Sequence, residues 1–229
     1  MAIVTHTVDY HVQQHWGRLN ALAWHYYGIA ESSYDQFLYA EKNLVPFPGD
    51  GDPKEHFASE RRLLDASFQT IVFAGMACEA AIYDLAAIQL GDDYASTYLD
   101  KLDLVAKWVV VPSLICGQTL KLDGPAINSL RTLTRTRNAL VHHKSIPGFP
   151  AQEACQRAED QLNKIIRNTG AAFQAVVLLS LELNRVLKTP SGVLPFFEKT
   201  VGHLAGKTAS PQIERAINRC REIDAKNAT

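Results

Sequence analysis

The longest apolar stretch of this chain, residues 71–90, contains only two charged residues, Glu79 and Asp84. It is rich in alanine, and its carboxylates make it too polar for a good membrane-spanning segment, which needs about 20 predominantly apolar residues. A helix that is apolar on nearly every side must be covered by other parts of the protein. The stretch therefore predicts a helix buried in the core of a soluble protein.

Helical periodicity also dominates the rest of the chain, while the only β-branched run, three valines at 109–111, ends at Pro112. Stretches rich in Pro and Gly predict loops at about 45–53 and 112–125. The predicted helices cover about 9–31 (continuing loosely towards 43), 54–90, 95–108, 126–143, 152–187, 193–204 and 211–226. Gly170 would permit a break within the long 152–187 segment. This pattern predicts an all-α fold, an antiparallel helical bundle with long helices.

Length and composition are those of one compact domain. With 229 residues, 47% of them hydrophobic, the chain can bury a sizeable core. We expect an N-terminal helical extension (residues 1–50) packed on a helical bundle (51–189), followed by short C-terminal helices (190–229). Because the formal net charge is only -1, any nucleic-acid site must be a local basic patch.

The cysteines and the N-terminus bear on cofactors and location. No CxxC pair is present, so the sequence predicts no zinc site, and we expect no other metal or cofactor. Cys78 lies inside the apolar stretch and is expected to be a buried thiol. The first residues lack a basic segment followed by an apolar one. These features predict a cytoplasmic protein without a membrane anchor.

A basic patch occurs at residues 131–144, RTLTRTRNALVHHK, inside a span (124–152) that has no acidic residue. At about 100° per residue, four of its polar side chains lie on one helical stripe about 60° wide: Arg131, Arg135, Asn138 and His142. On charge alone, such a stripe is better explained as a solvated cationic face near a helix C-terminus. The helix therefore predicts a basic surface, whose use must be argued from other features.

Arg137 falls on the opposite, apolar side of the same helix, among leucines. Its guanidinium cannot lose its charge, so it needs a polar or acidic partner there. Glu79, or Asp84 in its place, lies in the apolar 71–90 helix and also needs one. We therefore expect an ion pair between Glu79 (or Asp84) and Arg137 that joins the two helices.

The segment Arg137-Asn138-Ala139-Leu140-Val141-His142 resembles the signature of the HEPN superfamily, an Arg followed by a polar residue and then a His. Upstream, CEAAI at 78–82 resembles an element seen in many bacterial HEPN-like proteins, and LDLVAKWVVVP at 102–112 resembles the connector of that family. The resemblance covers about residues 63–143. It implies a core bundle of four to five helices, here with N- and C-terminal helical extensions.

The resemblance also implies a function. Many HEPN proteins are metal-independent ribonucleases, often toxins of toxin–antitoxin or phage-defence systems, and they commonly act as homodimers. It makes Arg137, Asn138 and His142 the candidate catalytic residues. Supporting and phosphate-binding roles would fall to Glu79, His143, Arg131, Arg135 and Lys144. RNA and an antitoxin protein are then the expected partners. There are two alternatives: a catalytically inactive module that binds a protein or a nucleotide, and an unrelated helical structural protein.

The residue types suit RNA cleavage. Histidine, with an unperturbed pKa of about 6.5, can transfer protons at neutral pH. Arginine matches the oxygens of a phosphate with two parallel hydrogen bonds. Arg137 and His142, however, lie about 140° apart around an ideal helix. Fraying of the helix end, or a second copy of the chain, must bring the two side chains together.

Overall fold

Two helices of 37 residues each, α2 and α6, form the long axes of the molecule. The computed structural model describes residues 12–13, 16–17, 21–49, 52–142, 148, 150–198 and 209–228. Its helices are α1 (Ala23–Lys42), α2 (Lys54–Leu90), α3 (Asp92–Tyr94), α4 (Leu104–Cys116), α5 (Pro125–Val141), α6 (Ala151–Leu187) and α7 (Pro211–Asn227). A π-helical turn, Ala95–Leu99, follows α3, and two short strands, β1 (Val12–Gln13) and β2 (Trp16–Gly17), pair antiparallel before α1. The predicted all-α bundle is confirmed.

Helix α2 is buried as its composition predicts. Its covered surface consists mainly of alanine, glycine and other small residues, which let α1, α4, α5 and α6 approach closely. By length and composition alone, α2 and α6 could each cross a membrane, but 61% and 67% of their most apolar windows are buried against other helices. Burial of this kind is typical of core helices.

Individual contacts define the directions of the helices. Ser33 of α1 donates a hydrogen bond to Gln69 of α2, and Tyr34 stacks on Phe173 of α6 at 4.6 Å between ring centroids. Helix α5 runs antiparallel to α6, since Asn168 bonds Thr136 near one end while Glu182 accepts from the Lys121 amide near the other. The C-termini of α1 and α5 therefore share one end of the bundle with the N-termini of α2 and α6.

A single cluster of buried residues extends from α1 to α7. Trp108 and Phe173 are its largest fully buried side chains. The indole Nε1 of Trp108 donates to the carbonyl oxygen of Cys78 at 3.1 Å, which attaches α4 to α2. Cys78 is itself fully buried, as predicted, and burial raises the pKa of its thiol. At the other extreme, the first turns of α6, residues 153–161, are exposed on every side.

The structure corrects the predicted helix boundaries at three places. The first helix begins at Ala23 instead of residue 9, because the Gly17 region, poor in helix propensity, pairs as a short strand. The predicted 95–108 helix is interrupted at residues 100–103, and α4 begins at Leu104, continues through Pro112 to Cys116 and is capped by Gly117, whose φ of 72° is left-handed. Residues 193–198 are not helical, although Val193 and Phe197 are buried. The rest of the predicted 193–204 helix lies outside the described residues.

Gly170 does not interrupt α6, which is continuous from Ala151 to Leu187. The glycine faces α1, where a Cβ placed on it would lie 3.5 Å from the hydroxyl of Tyr34. Three aromatic residues of α1 pack into the fold: Trp24 donates to the carbonyl of Gly192, Tyr26 contacts Phe73, and Tyr27 is buried.

Candidate functional site at the end of helix α5

Helix α5 is positioned by its start and by its buried face. Gly124 is its N-cap and Pro125 its first residue, a place where a missing backbone N–H costs nothing. Five residues face the core: Ala126, Ile127, Leu130, Leu133 and Thr136. The Thr136 hydroxyl accepts a hydrogen bond from the Asn168 amide at 3.0 Å, so the last turns of α5 are fixed against α6.

Arg137 lies half-buried one residue beyond that contact. Its stem packs on α2, and its Nε is buried without a hydrogen-bond partner. Its Nη1 donates to the Asn138 amide oxygen at 3.5 Å, which is a long and weak hydrogen bond. Among the described residues, no carboxylate lies within ion-pair distance of this guanidinium. Arg137 thus keeps an uncompensated positive charge.

Thr134, one turn before Arg137 on α5, carries a second unsatisfied group. Its hydroxyl oxygen is also buried without a hydrogen-bond partner. Most buried polar atoms of folded proteins are paired, so two orphaned groups one helical turn apart call for an explanation. Because both atoms are closed to solvent, a bound anion could reach Arg137 only through the other nitrogens of its guanidinium.

The predicted ion pair between Glu79 and Arg137 is wrong. Glu79 accepts instead from the ammonium of Lys107 on α4, with 2.6 Å between Oε1 and Nζ. The same ammonium reaches Asp100 at 3.2 Å. Lys107 of α4 meets α2 at the level of Glu79, whereas Arg137 of α5 meets α2 one turn earlier, at Gly75. Glu79 is therefore part of the attachment of α4 to α2.

The Lys107 side chain is only 5% exposed. Burial lowers the pKa of its ammonium, but hydrogen bonds and attraction from Glu79, and then from Asp100, outweigh burial and raise that pKa above its ordinary value. The two carboxylates keep contact with water, at 39% and 60% side-chain exposure. This cluster of three charged residues is well satisfied, which suits a structural role.

Asn138 and His142 are both exposed at the end of α5. His142 is the C-cap, with φ of -106° and ψ of 24°, and its backbone amide donates to the carbonyl of Asn138 at 3.0 Å. Because the C-cap has left the helical conformation, its imidazole is freed from the angular relation that an ideal helix would impose on it and Arg137.

The other predicted phosphate-binding residues differ in their surroundings. Arg131 donates through Nη1 to the carbonyl of Leu122 at 2.8 Å and to the Asn128 amide oxygen at 3.0 Å, so it braces the loop before α5. Arg135 is exposed and makes no recorded hydrogen bond or ion pair within the described part of the chain. His143 and Lys144 lie outside the described residues.

Lys107, Asp100 and Gly75 were missed as neighbours of the predicted site. A lysine in an apolar segment, Leu104–Cys116, was the signal for a buried cation that competes with Arg137 for Glu79. Gly75 lies in the middle of a long helix, where glycine lowers helix stability. A glycine there indicates that a neighbouring group packs closely against the helix backbone. In the described ranges, no group of three or more His, Cys, Asp or Glu side chains is arranged to hold a metal ion.

Comparison with protein-family models, with curated proteins and with solved structures finds no match for this chain.

Proposed function

We propose that this chain is a HEPN-like, metal-independent endoribonuclease of the toxin or phage-defence type, acting in the cytoplasm. The observation that carries the proposal is Arg137, a half-buried guanidinium without a carboxylate partner among the described residues. It comes one residue before the exposed Asn138 and five residues before the exposed His142, at the end of a helix whose last turns also carry Arg135. An anion such as a phosphodiester would supply the charge and the acceptors that Arg137 lacks.

The proposed reaction is transfer of the phosphodiester within the RNA strand. A base removes the proton of the 2′-hydroxyl, the bond between O2′ and phosphorus forms, and the bond between phosphorus and O5′ breaks as an acid protonates O5′. The products are a 2′,3′-cyclic phosphate and a free 5′-hydroxyl. His142 would transfer protons, Arg137 would neutralise the charge that develops on the phosphate oxygens, and Asn138 would donate to one of them.

A homodimer would supply the second proton-transfer group. One His142 can act as base or as acid in a turnover, and two copies of α5 around one phosphate would provide both. An interface related by a two-fold axis uses the same surface of each subunit, so the exposed end of α5 can serve both. An antitoxin protein that covers this end of the bundle would be the natural inhibitor.

The test is cleavage of single-stranded RNA by the purified chain in EDTA, with analysis of the new ends. We expect 2′,3′-cyclic phosphate ends and loss of activity in His142→Ala, with an unchanged melting temperature. His25→Ala is the matched control, since His25 is an exposed histidine on α1 at the other end of the bundle. Full activity in His142→Ala would contradict its catalytic role, and a monomer by light scattering would contradict the dimer.

A catalytically inactive module that binds RNA or a nucleotide is the second candidate. It is favoured by the positions of Arg137 and His142, since Arg137 is half-buried against α2, His142 is exposed, and no contact joins the two side chains within the described residues. Such a module would bind single-stranded RNA with an affinity that falls as salt rises, because phosphate contacts release counterions. Binding without cleavage by the wild-type chain would favour it over the nuclease.

A further inference from the structure

We propose that Gly75 of α2 is a positioning residue for Arg137: the missing side chain of the glycine leaves a seat that holds the guanidinium stem at the site. The consequence for RNA rests on the proposed function, whereas the contact itself can be tested without any activity.

The seat is defined by the distances around Gly75. A Cβ placed on this residue would lie 3.3 Å from Cγ, 3.4 Å from Cδ and 3.7 Å from Nε of Arg137. The aliphatic stem of Arg137 therefore lies flat against the backbone of α2. The Nε that turns towards α2 has no hydrogen-bond partner, so packing and not hydrogen bonding determines where the stem lies.

The other two glycines inside described helices provide a comparison. A Cβ on Gly28 of α1 would meet nothing within 4 Å, and one on Gly170 of α6 would make an ordinary contact of 3.5 Å with the Tyr34 hydroxyl. Gly75 is the one of the three whose Cβ would press on a candidate site residue. Because glycine weakens the middle of a helix, its presence at 75 is explained by the space that Arg137 needs.

A methyl group at position 75 would displace Arg137 more readily than it would disturb the fold. The atoms it meets belong to a long side chain that can change rotamer, whereas the neighbouring backbone need not move. The contact requires the stem to move by only a few tenths of an ångström, and since misplacement by about 1 Å can lower catalysis about 100-fold, a severalfold loss is expected. Alanine also forms helix better than glycine. Gly75→Ala should therefore separate function from stability.

The experiment compares Gly75→Ala with Gly28→Ala, each in the wild-type chain and in the Arg137→Ala background. Gly28→Ala should raise the melting temperature by about 2–4 °C in both backgrounds. Gly75→Ala should give the same rise only when Arg137 is absent, and a smaller rise or a fall when it is present. In RNA assays, Gly75→Ala should lower kcat about threefold to fivefold with little change in KM, and Gly28→Ala should leave both unchanged.

The outcomes separate the two proposals. If Gly75→Ala shifts the melting temperature equally in both backgrounds, the contact is refuted; if it cleaves RNA as the wild type does, the positioning role is refuted. If the wild-type chain neither cleaves nor binds single-stranded RNA, the proposed function fails, while the melting temperatures still report the contact. A Gly75→Ala chain that unfolds alone but folds together with Arg137→Ala would support the contact.

Discussion

Two cations, Lys107 and Arg137, contact the same helix, α2, one turn apart. Among the described residues, Lys107 has carboxylate partners and Arg137 has none. Lys107 of α4 reaches Glu79 and Asp100 with hydrogen bonds of 2.6 and 3.2 Å. Arg137 of α5 reaches α2 at Gly75, where no side chain can receive it, and its Nε is left unsatisfied. The carboxylate of Glu79, one turn away from Gly75, is thus paired with Lys107 and not with Arg137.

The difference teaches how a partly buried charge can be kept for a ligand. A cation whose partners are supplied by the fold has its field cancelled locally and contributes to stability. A cation that has lost part of its hydration without gaining a counter-charge keeps a strong local field and is ready to bind an anion. Lys107 belongs to the first kind, and Arg137 is the described residue that best fits the second.

The same substitution at the two cations should have very different effects on stability. Lys107→Ala should lower the free energy of unfolding by about 3 kcal/mol, the low end for breaking a buried pair, because its two carboxylates remain in contact with water. Arg137→Ala should lower it by less than about 1 kcal/mol, since only stem packing is lost. Urea unfolding of the two variants measures both.

Glu79→Gln is the control for this pair, because it keeps an acceptor for Lys107 and removes only the charge. Its loss of stability should fall between those of the two alanine variants. An Arg137→Ala chain as destabilised as Lys107→Ala would contradict the comparison, since it would mean that the fold depends on Arg137 as well.

Alkaline pH should weaken the Lys107 cluster. The pKa of Lys107 is raised in the folded chain, so its stabilisation is complete below the unfolded pKa of about 10.4 and is lost as pH rises through the folded pKa. The stability difference between wild type and Lys107→Met should therefore be constant from pH 8 to 10 and shrink above about pH 10.5. Urea unfolding across this range tests it, and a difference that stays constant would argue against the ion pairs.

The smallest effects should distinguish Arg131 from Arg135. Arg131→Ala removes two hydrogen bonds at the start of α5 and should cost about 0.5–1 kcal/mol of stability. Arg135→Ala should change stability by less than about 0.5 kcal/mol but reduce the salt dependence of RNA binding by about one phosphate contact. Thermal melts and binding titrations at several salt concentrations measure the pair, and a reversed pattern would place Arg131 in the site instead.

Much of the fold could be predicted from the sequence, because the helices carry strong local signals. The predicted bounds of α2 agree with the observed Lys54–Leu90, since a proline precedes the helix and Gly91 follows it. Helix α4 was placed wrongly because Pro112 was taken as a stop. A proline removes one hydrogen bond, but burial of Trp108 and Val111 in the turn before it, and of Pro112 itself, keeps the helix intact as far as Cys116.

The candidate site was predicted less completely. Helical angles alone put Asn138 and His142 on an exposed stripe and Arg137 on the covered side, which agrees with their observed exposure. The partner of Glu79 could not be predicted in the same way. Two cations, Lys107 and Arg137, were available, and periodicity gives a direction around each helix but no distance between helices.

The exposed start of α6 has a consequence for how the chain opens. Residues 153–161 are stabilised by little more than local side-chain pairs such as Glu153 with Arg157, and each such pair is worth a few tenths of a kcal/mol. Farther along the same helix, all residues from Phe173 to Leu183 except Gln174 are buried in the core. Amide protons in the first turns should therefore exchange with solvent through local fraying, and those near Phe173 only through global unfolding. One uninterrupted helix thus spans nearly the whole range of local stability in the molecule.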